Sequence, residues 1–123
     1  MKTKKRILIV DDEVMLKMLL KKVFIEEGYA VFCVSSGSSA IKNIKRKKFD
    51  LVLLDLEMPG IDGIETLEII RKIDRNLSVI LLSAHLTKDS IEKAVKLGIS
   101  SYIEKSFKLD EIKFAVKKAL KKR

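Results

Sequence analysis

The chain has 123 residues, is 47% hydrophobic and carries one cysteine, Cys33. That fits one domain with one core and excludes both an internal disulfide and a cysteine-based metal site. The net charge of +9 is high, but the lysines are spread among Glu and Asp, aromatics are few and Trp is absent, so solvated helix faces are a better reading than a nucleic-acid surface.

Apolar runs alternate with amphipathic stretches five times. The first strand is expected at 5–10. It follows a basic start that mimics a signal peptide, but the apolar run Ile7-Leu8-Ile9-Val10 is short and Asp11-Asp12-Glu13 closes it, so a leader is rejected. No run is long enough to span a membrane, and the expected compartment is the cytoplasm. A helix over 14–27 follows, with Met15, Leu16, Leu19, Leu20 and Phe24 at helical spacing and Gly28 as its stop. A strand over 29–34 holds Cys33 as a small buried hydrophobe. After the turn Ser35-Ser36-Gly37-Ser38 comes a short helix over 39–47 with Ala40, Ile41 and Ile44 inward.

The third strand, 51–55, is the run Leu51-Val52-Leu53-Leu54 stopped by Asp55, a pattern of burial on both faces. Asp50 opens it and reads as structural. Met58-Pro59-Gly60 forces a turn. Asp62-Gly63-Ile64-Glu65 resembles a capping box and opens a helix over 63–73 with Ile64, Leu67 and Ile70 inward. A strand follows at 78–83, a helix capped by Thr87 at 88–97, a strand at 101–104 and a helix at 109–121 with Ile112, Val116, Ala119 and Leu120 on one face. Strands and helices of these lengths in alternation imply parallel βαβ units, and so an α/β sheet covered on both faces. Residues 1–123 read as one domain, free-standing or cut from a longer chain.

A parallel sheet puts all strand C-termini on one edge, where such folds bind ligands. Here that edge receives Asp11 and Asp12, Asp55, Ser83 and Lys105. If strands one and three are neighbours, three carboxylates converge and repel one another, which a hard divalent cation such as Mg2+ resolves. Lys105 adds a positive charge and Ser83 a hydroxyl. This set suits phosphoryl transfer, in which a carboxylate can itself become the acceptor. Singly, each residue has a plainer reading: Asp11-Asp12 as helix caps, Asp55 as a strand-end turn residue, Lys105 as a surface lysine, Ser83 as a strand-end hydroxyl. Their joint occurrence at the ends of four strands favours the functional one.

The runs Ile7-Leu8-Ile9-Val10-Asp11-Asp12-Glu13 and Asp50 through Gly63, the pair Ser83-Ala84 and the stretch Tyr102-Ile103-Glu104-Lys105 together resemble the receiver (phosphoacceptor) domain of two-component response regulators. The resemblance implies a flavodoxin-like, doubly wound five-stranded parallel sheet of order 2-1-3-4-5 with five helices. It implies phosphorylation at Asp55. Mg2+ would be held by Asp12, Asp55 and the Glu57 backbone carbonyl, with Asp11 acting through water. Ser83 and Lys105 would meet the phosphoryl oxygens, and Tyr102 would be an aromatic switch turning inward when Ser83 moves. It implies a sensor histidine kinase or phosphotransfer protein as donor, an output partner on the face of helix four, strand five and helix five, and scope for a phosphorylation-dependent homodimer. Such a domain is a signalling module rather than an enzyme, catalysing only its own phosphorylation and dephosphorylation.

Three positions depart from the family pattern. Ser106 replaces the usual Pro, so the Lys105–Ser106 bond is expected to be trans, with the following loop shifted. Lys108 stands where a capping Asp or Ser is common. Ser100-Ser101 replaces acidic residues and leaves the face of helices four and five basic, which suits an acidic partner. Two other readings compete. An aspartate-nucleophile phosphatase is disfavoured because Glu57 stands where a second Asp is needed. A phosphate-independent basic module for nucleic acid or an acidic partner is disfavoured by the intact Asp11, Asp12, Asp55 and Lys105. His85, the only histidine, reads as an exposed loop residue; with Glu57 it flanks the expected site, where both could tune how long a phosphate survives.

Overall fold

Every apolar run becomes a strand and every amphipathic stretch a helix. In the computed structural model, which describes residues 3–58, 60 and 62–121, the order is β1 (Arg6–Val10), α1 (Val14–Glu26), β2 (Ala30–Val34), α2 (Gly37–Arg46), β3 (Leu51–Asp55), α3 (Gly63–Ile73), β4 (Ser78–Ser83), α4 (Lys88–Lys96), β5 (Ser101–Glu104) and α5 (Leu109–Lys121). The turn expected at Pro59 and the basic residues at both extreme ends lie outside the described residues. The strands form one sheet of order β2-β1-β3-β4-β5, all parallel. This is the expected doubly wound, flavodoxin-like arrangement.

The alternation of side chains along a strand explains why the central strands are apolar throughout. Ile7, Ile9, Leu51, Leu53, Ile80 and Leu82 point to one face and pack with Leu20, Phe24, Ile112 and Val116 from α1 and α5. Leu8, Val10, Val52, Leu54, Val79 and Leu81 point to the other and pack with Ala40, Ile44, Leu67, Ile70 and Ala94 from α2, α3 and α4. The edge strands β2 and β5 are less buried. Asp50 is structural as expected: its carboxylate accepts the Arg6 N–H at 2.8 Å where β3 begins beside β1.

Two expectations need correction. Met15 and Leu19, expected on the buried face of α1, are exposed, Met15 at 78%. The buried face runs through Lys17, Leu20, Val23 and Phe24. Apolar residues ring this helix, so periodicity alone leaves its phase ambiguous, and packing selects the side carrying Phe24. The second helix starts at Gly37 rather than Ser39, because Ser36 is its cap and accepts the Ser39 N–H at 3.1 Å. The other caps follow the sequence. Asp62 accepts the Glu65 N–H at 2.8 Å, and Thr87 and Ser90 complete a reciprocal capping box at α4. Among the described residues no peptide bond is cis, so Lys105–Ser106 is trans as expected.

Two contacts fix helices against the rest of the fold, one at each edge of the sheet. The Arg71 guanidinium, on α3, donates to the carbonyls of Leu97 at 2.6 Å and Gly98 at 2.9 Å, closing the C-terminal end of α4 onto α3. Gly63, the first residue of α3, lies against the chain just past β3: its N–H donates to the Leu56 carbonyl at 3.2 Å, and a Cβ there would fall 2.4 Å from Leu56 Cα. Since that neighbour is backbone, it cannot rotate away. Gly63→Ala is therefore expected to cost about 2 kcal/mol or more of stability, at the upper end for overpacked sites, and a urea unfolding midpoint equal to that of the unaltered chain would refute the contact.

Candidate acidic site at the strand ends

Backbone pairing carries the polar residues to one edge. Asp11 follows β1 and its N–H donates to the Val34 carbonyl at 3.2 Å. Asp55, the last residue of β3, pairs with Leu82. Ser83 ends β4, and the Lys105 N–H donates to its carbonyl at 2.8 Å. These residues are thus fixed by the register of the sheet, with little freedom left to the loops.

Two matching turns then orient the carboxylates. Asp11 Oδ1 accepts the Glu13 N–H at 2.9 Å and Asp55 Oδ1 accepts the Glu57 N–H at 2.9 Å, each two residues along the chain. Lys105 Nζ lies among these carboxylates and donates to Asp11 Oδ1 at 3.3 Å. It is 3.0 Å from Asp55 Oδ2, 3.1 Å from Asp11 Oδ2 and 2.7 Å from Glu13 Oε1. Asp11, Asp55 and Ser83 are fully buried, while Asp12 is exposed.

Burial dominates the electrostatics. It pushes the Asp55 carboxyl up to about 6; the Glu57 N–H and Lys105 counteract part of this, and Asp11 adds to it. Lys105 is driven the other way. Burial would lower it, but Glu13, Asp55 and Asp11 together hold its ammonium charged well beyond the ordinary lysine range. One ammonium against three carboxylates leaves the site negative.

The site fits a hard divalent cation. Asp11, Asp12 and Asp55 each place an oxygen within 4.8 Å of the others. Asp11 Oδ2 is buried and, although close to Lys105 Nζ, takes no hydrogen bond among the described residues. An all-oxygen donor set with an exposed side through Asp12 is what Mg2+ requires, since it keeps part of its water shell.

Of the residues singled out in the sequence, Asp11, Asp12, Asp55 and Lys105 come together. Ser83 stands beside them, but its hydroxyl donates to Glu57 Oε1 at 2.8 Å, as does the Ala84 N–H, also at 2.8 Å. Burial would raise the Glu57 carboxyl, but these bonds, with the His85 N–H and the His85 side chain, bring it below the usual carboxylate value. Tyr102 is 43% exposed and lines a surface groove with Phe114 and Lys118 of α5. His85 is exposed, as expected.

The contacts of the Glu13 and Glu57 side chains are not foreseen from the sequence. A signal for both is present: Asp11-Asp12-Glu13 and Asp55-Leu56-Glu57 repeat one Asp-x-Glu spacing, and in both the Asp turns the backbone so that the Glu can reach back over the strand ends.

Comparison with known proteins agrees with this geometry. The response regulator receiver domain family matches residues 7–117. The sporulation initiation phosphotransferase F of Bacillus subtilis is 43% identical over 115 residues, covering 94% of this chain and 93% of the relative. The response regulator protein TrrA of Thermotoga maritima, solved in complex with Mg2+–BeF, superposes with a TM-score of 0.86 at 42% identity, covering 94% of this chain and 99% of its own. A CheY-like receiver domain from Methanospirillum hungatei gives a TM-score of 0.95 at 26% identity, covering 98% and 96%. With its parallel sheet, its acidic strand ends and a family match over most of its length, the chain belongs to the response regulator receiver domain family.

Proposed function

We propose that residues 1–123 form one receiver unit, acting in the cytoplasm, that accepts a phosphoryl group on Asp55 from the phosphohistidine of a sensor histidine kinase or phosphotransfer protein and changes conformation in response. The observation that carries this reading is the buried Asp55 carboxylate with Lys105 Nζ at 3.0 Å and oxygens of Asp11 and Asp12 within 4.8 Å. In the transfer, an Asp55 oxygen attacks phosphorus, the N–P bond of the donor breaks and the imidazole leaves with the electron pair. A mixed anhydride forms at Asp55, and water later returns the carboxylate and inorganic phosphate.

Asp11, Asp12, Asp55 and the Glu57 carbonyl would hold Mg2+, which supplies positive charge against the phosphoryl oxygens. Lys105 bonds a phosphoryl oxygen as a point charge, and Ser83 donates its hydroxyl to another. The switch runs through Ser83 and Tyr102 to the face of α4, β5 and α5, where the output partner docks. Exposed Phe114 and the lysines of α5 suit an acidic partner there.

The raised Asp55 carboxyl, a result chiefly of burial, provides a check on the metal site. A carboxyl raised from 3.8 to about 6 in the folded chain costs nothing where both states are protonated, below the unfolded value. As pH rises through that interval the unfolded chain releases its proton first, so stability falls and the full cost applies above about 6. At pH 7 in chelator, Asp55→Asn should therefore be more stable than the unaltered chain, by on the order of 2 kcal/mol. The gap should narrow toward pH 4 and when Mg2+ is added. Equal or lower thermal stability of the variant at pH 7 in chelator would count against the buried acidic cluster.

The reaction itself is checked by intact-mass spectrometry after incubation with acetyl phosphate. One phosphoryl group should be gained with Mg2+, none with chelator and none in Asp55→Asn. If Asp55→Asn gains the group to the same extent, the assignment fails.

A further inference from the structure

The hydroxyl of Ser83 and the N–H of Ala84 converge on a single oxygen, Glu57 Oε1, both at 2.8 Å. The Ser83 oxygen in turn accepts the His85 N–H at 3.1 Å. A buried hydroxyl and a backbone N–H aimed at one point, at the end of a central strand, make a small anion pocket. Here a carboxylate of the chain itself fills it.

We propose that Glu57 is a built-in competitor for the phosphoryl group: its carboxylate occupies the position that a phosphoryl oxygen on Asp55 would take, and it must leave before that oxygen can bind. This rests on the reading of Asp55 as phosphoacceptor. Three features support it. Glu57 follows Asp55 by two residues, and its N–H is tied to Asp55 Oδ1 at 2.9 Å, so its backbone is fixed beside the acceptor. The preceding residue, Leu56, is pressed against Gly63, so the loop has little room to carry Glu57 away as a unit. Glu57 is nonetheless exposed, so its side chain can swing into solvent by rotation alone.

The electrostatics set the direction. A phosphoryl oxygen and the Glu57 carboxylate are like charges competing for the same two donors, and the site is already negative. Expelling Glu57 costs the two hydrogen bonds it accepts, which are charge-assisted and stronger than neutral ones. The unphosphorylated chain thereby holds Ser83 toward the site with no phosphate present, and phosphorylation exchanges one anion for another at the same donors. Glu57 is in this sense a positioning residue for Ser83 and a brake on phosphoryl binding.

The test uses the full chain and titrates beryllofluoride in the presence of Mg2+, followed by NMR. Glu57→Ala should bind beryllofluoride about tenfold more tightly than the unaltered chain, the size expected for removing a charge-assisted competitor, and Glu57→Gln should fall between them. In the ligand-free state the Ala84 amide resonance should shift and its hydrogen exchange accelerate in Glu57→Ala, a response that general stabilisation would not produce. In a Ser83→Ala background the gain from Glu57→Ala should shrink, since one of the two contested donors is gone. Equal or weaker binding by Glu57→Ala, with the unaltered chain binding normally, would overturn the competitor role and leave the phosphoacceptor reading intact. If neither protein binds beryllofluoride and neither is labelled by acetyl phosphate, the phosphoacceptor reading itself fails.

Discussion

The site depends on an unequal charge balance held out of water. Asp11 and Asp55 are fully buried at adjacent strand ends and Glu13 leans over them, with the Lys105 ammonium in contact with all three. Buried carboxylates are tolerated where they are paired and hydrogen-bonded. This chain meets that demand halfway: each Asp gives Oδ1 to a backbone N–H of its own turn, and Lys105 donates to Asp55 Oδ2 but to the already engaged Oδ1 of Asp11. Burial is the main reason the Asp55 carboxyl lies near 6, with Asp11 adding to it, and among the described residues Asp11 Oδ2 takes no hydrogen bond. A cation from solution would relieve both at once, which is how the acidic cluster would favour a metal.

The sheet sets this geometry, and that is why so much of it was legible in the sequence. Leu51 through Leu54 is apolar at every position because both faces are covered, and the first charge after such a run must emerge at the sheet edge. Asp11, Asp55, Ser83 and Lys105 each end or follow a strand in this way, so their meeting needs only the strand order. The order 2-1-3-4-5 is not written in the periodicity; it came from the resemblance of the motifs. Where the sheet does not decide, the sequence was less informative. At α1 periodicity alone does not distinguish the face of Met15 and Leu19 from that of Phe24, because apolar residues surround the helix. The long side chains of Glu13 and Glu57 each have several rotamers compatible with their backbone, and only the donors around them select one.

Glu57 illustrates how a fixed backbone can carry a movable group. Gly63 lets the start of α3 press on Leu56, and the Asp55 turn pins the Glu57 N–H, so Leu56 and Glu57 are held directly after β3.

The distribution of anchors on α4 favours transmission of a change at Ser83. Among the described residues of that helix only Ala94 is buried. Its C-terminal end is closed by two charge-assisted bonds from Arg71, whereas its N-terminal end is closed by a capping box made from its own residues, Thr87 and Ser90. A self-contained cap moves with the helix, while a bond to a neighbouring helix resists movement. Any displacement of the segment between Ser83 and Thr87 would therefore meet least resistance at the N-terminal end of α4, since the Leu97–Gly98 corner is tied to Arg71. Elements with few buried contacts and local caps sit at the low-stability end of a fold, and here such an element begins five residues after Ser83, the residue whose hydroxyl the proposed reaction would re-bond.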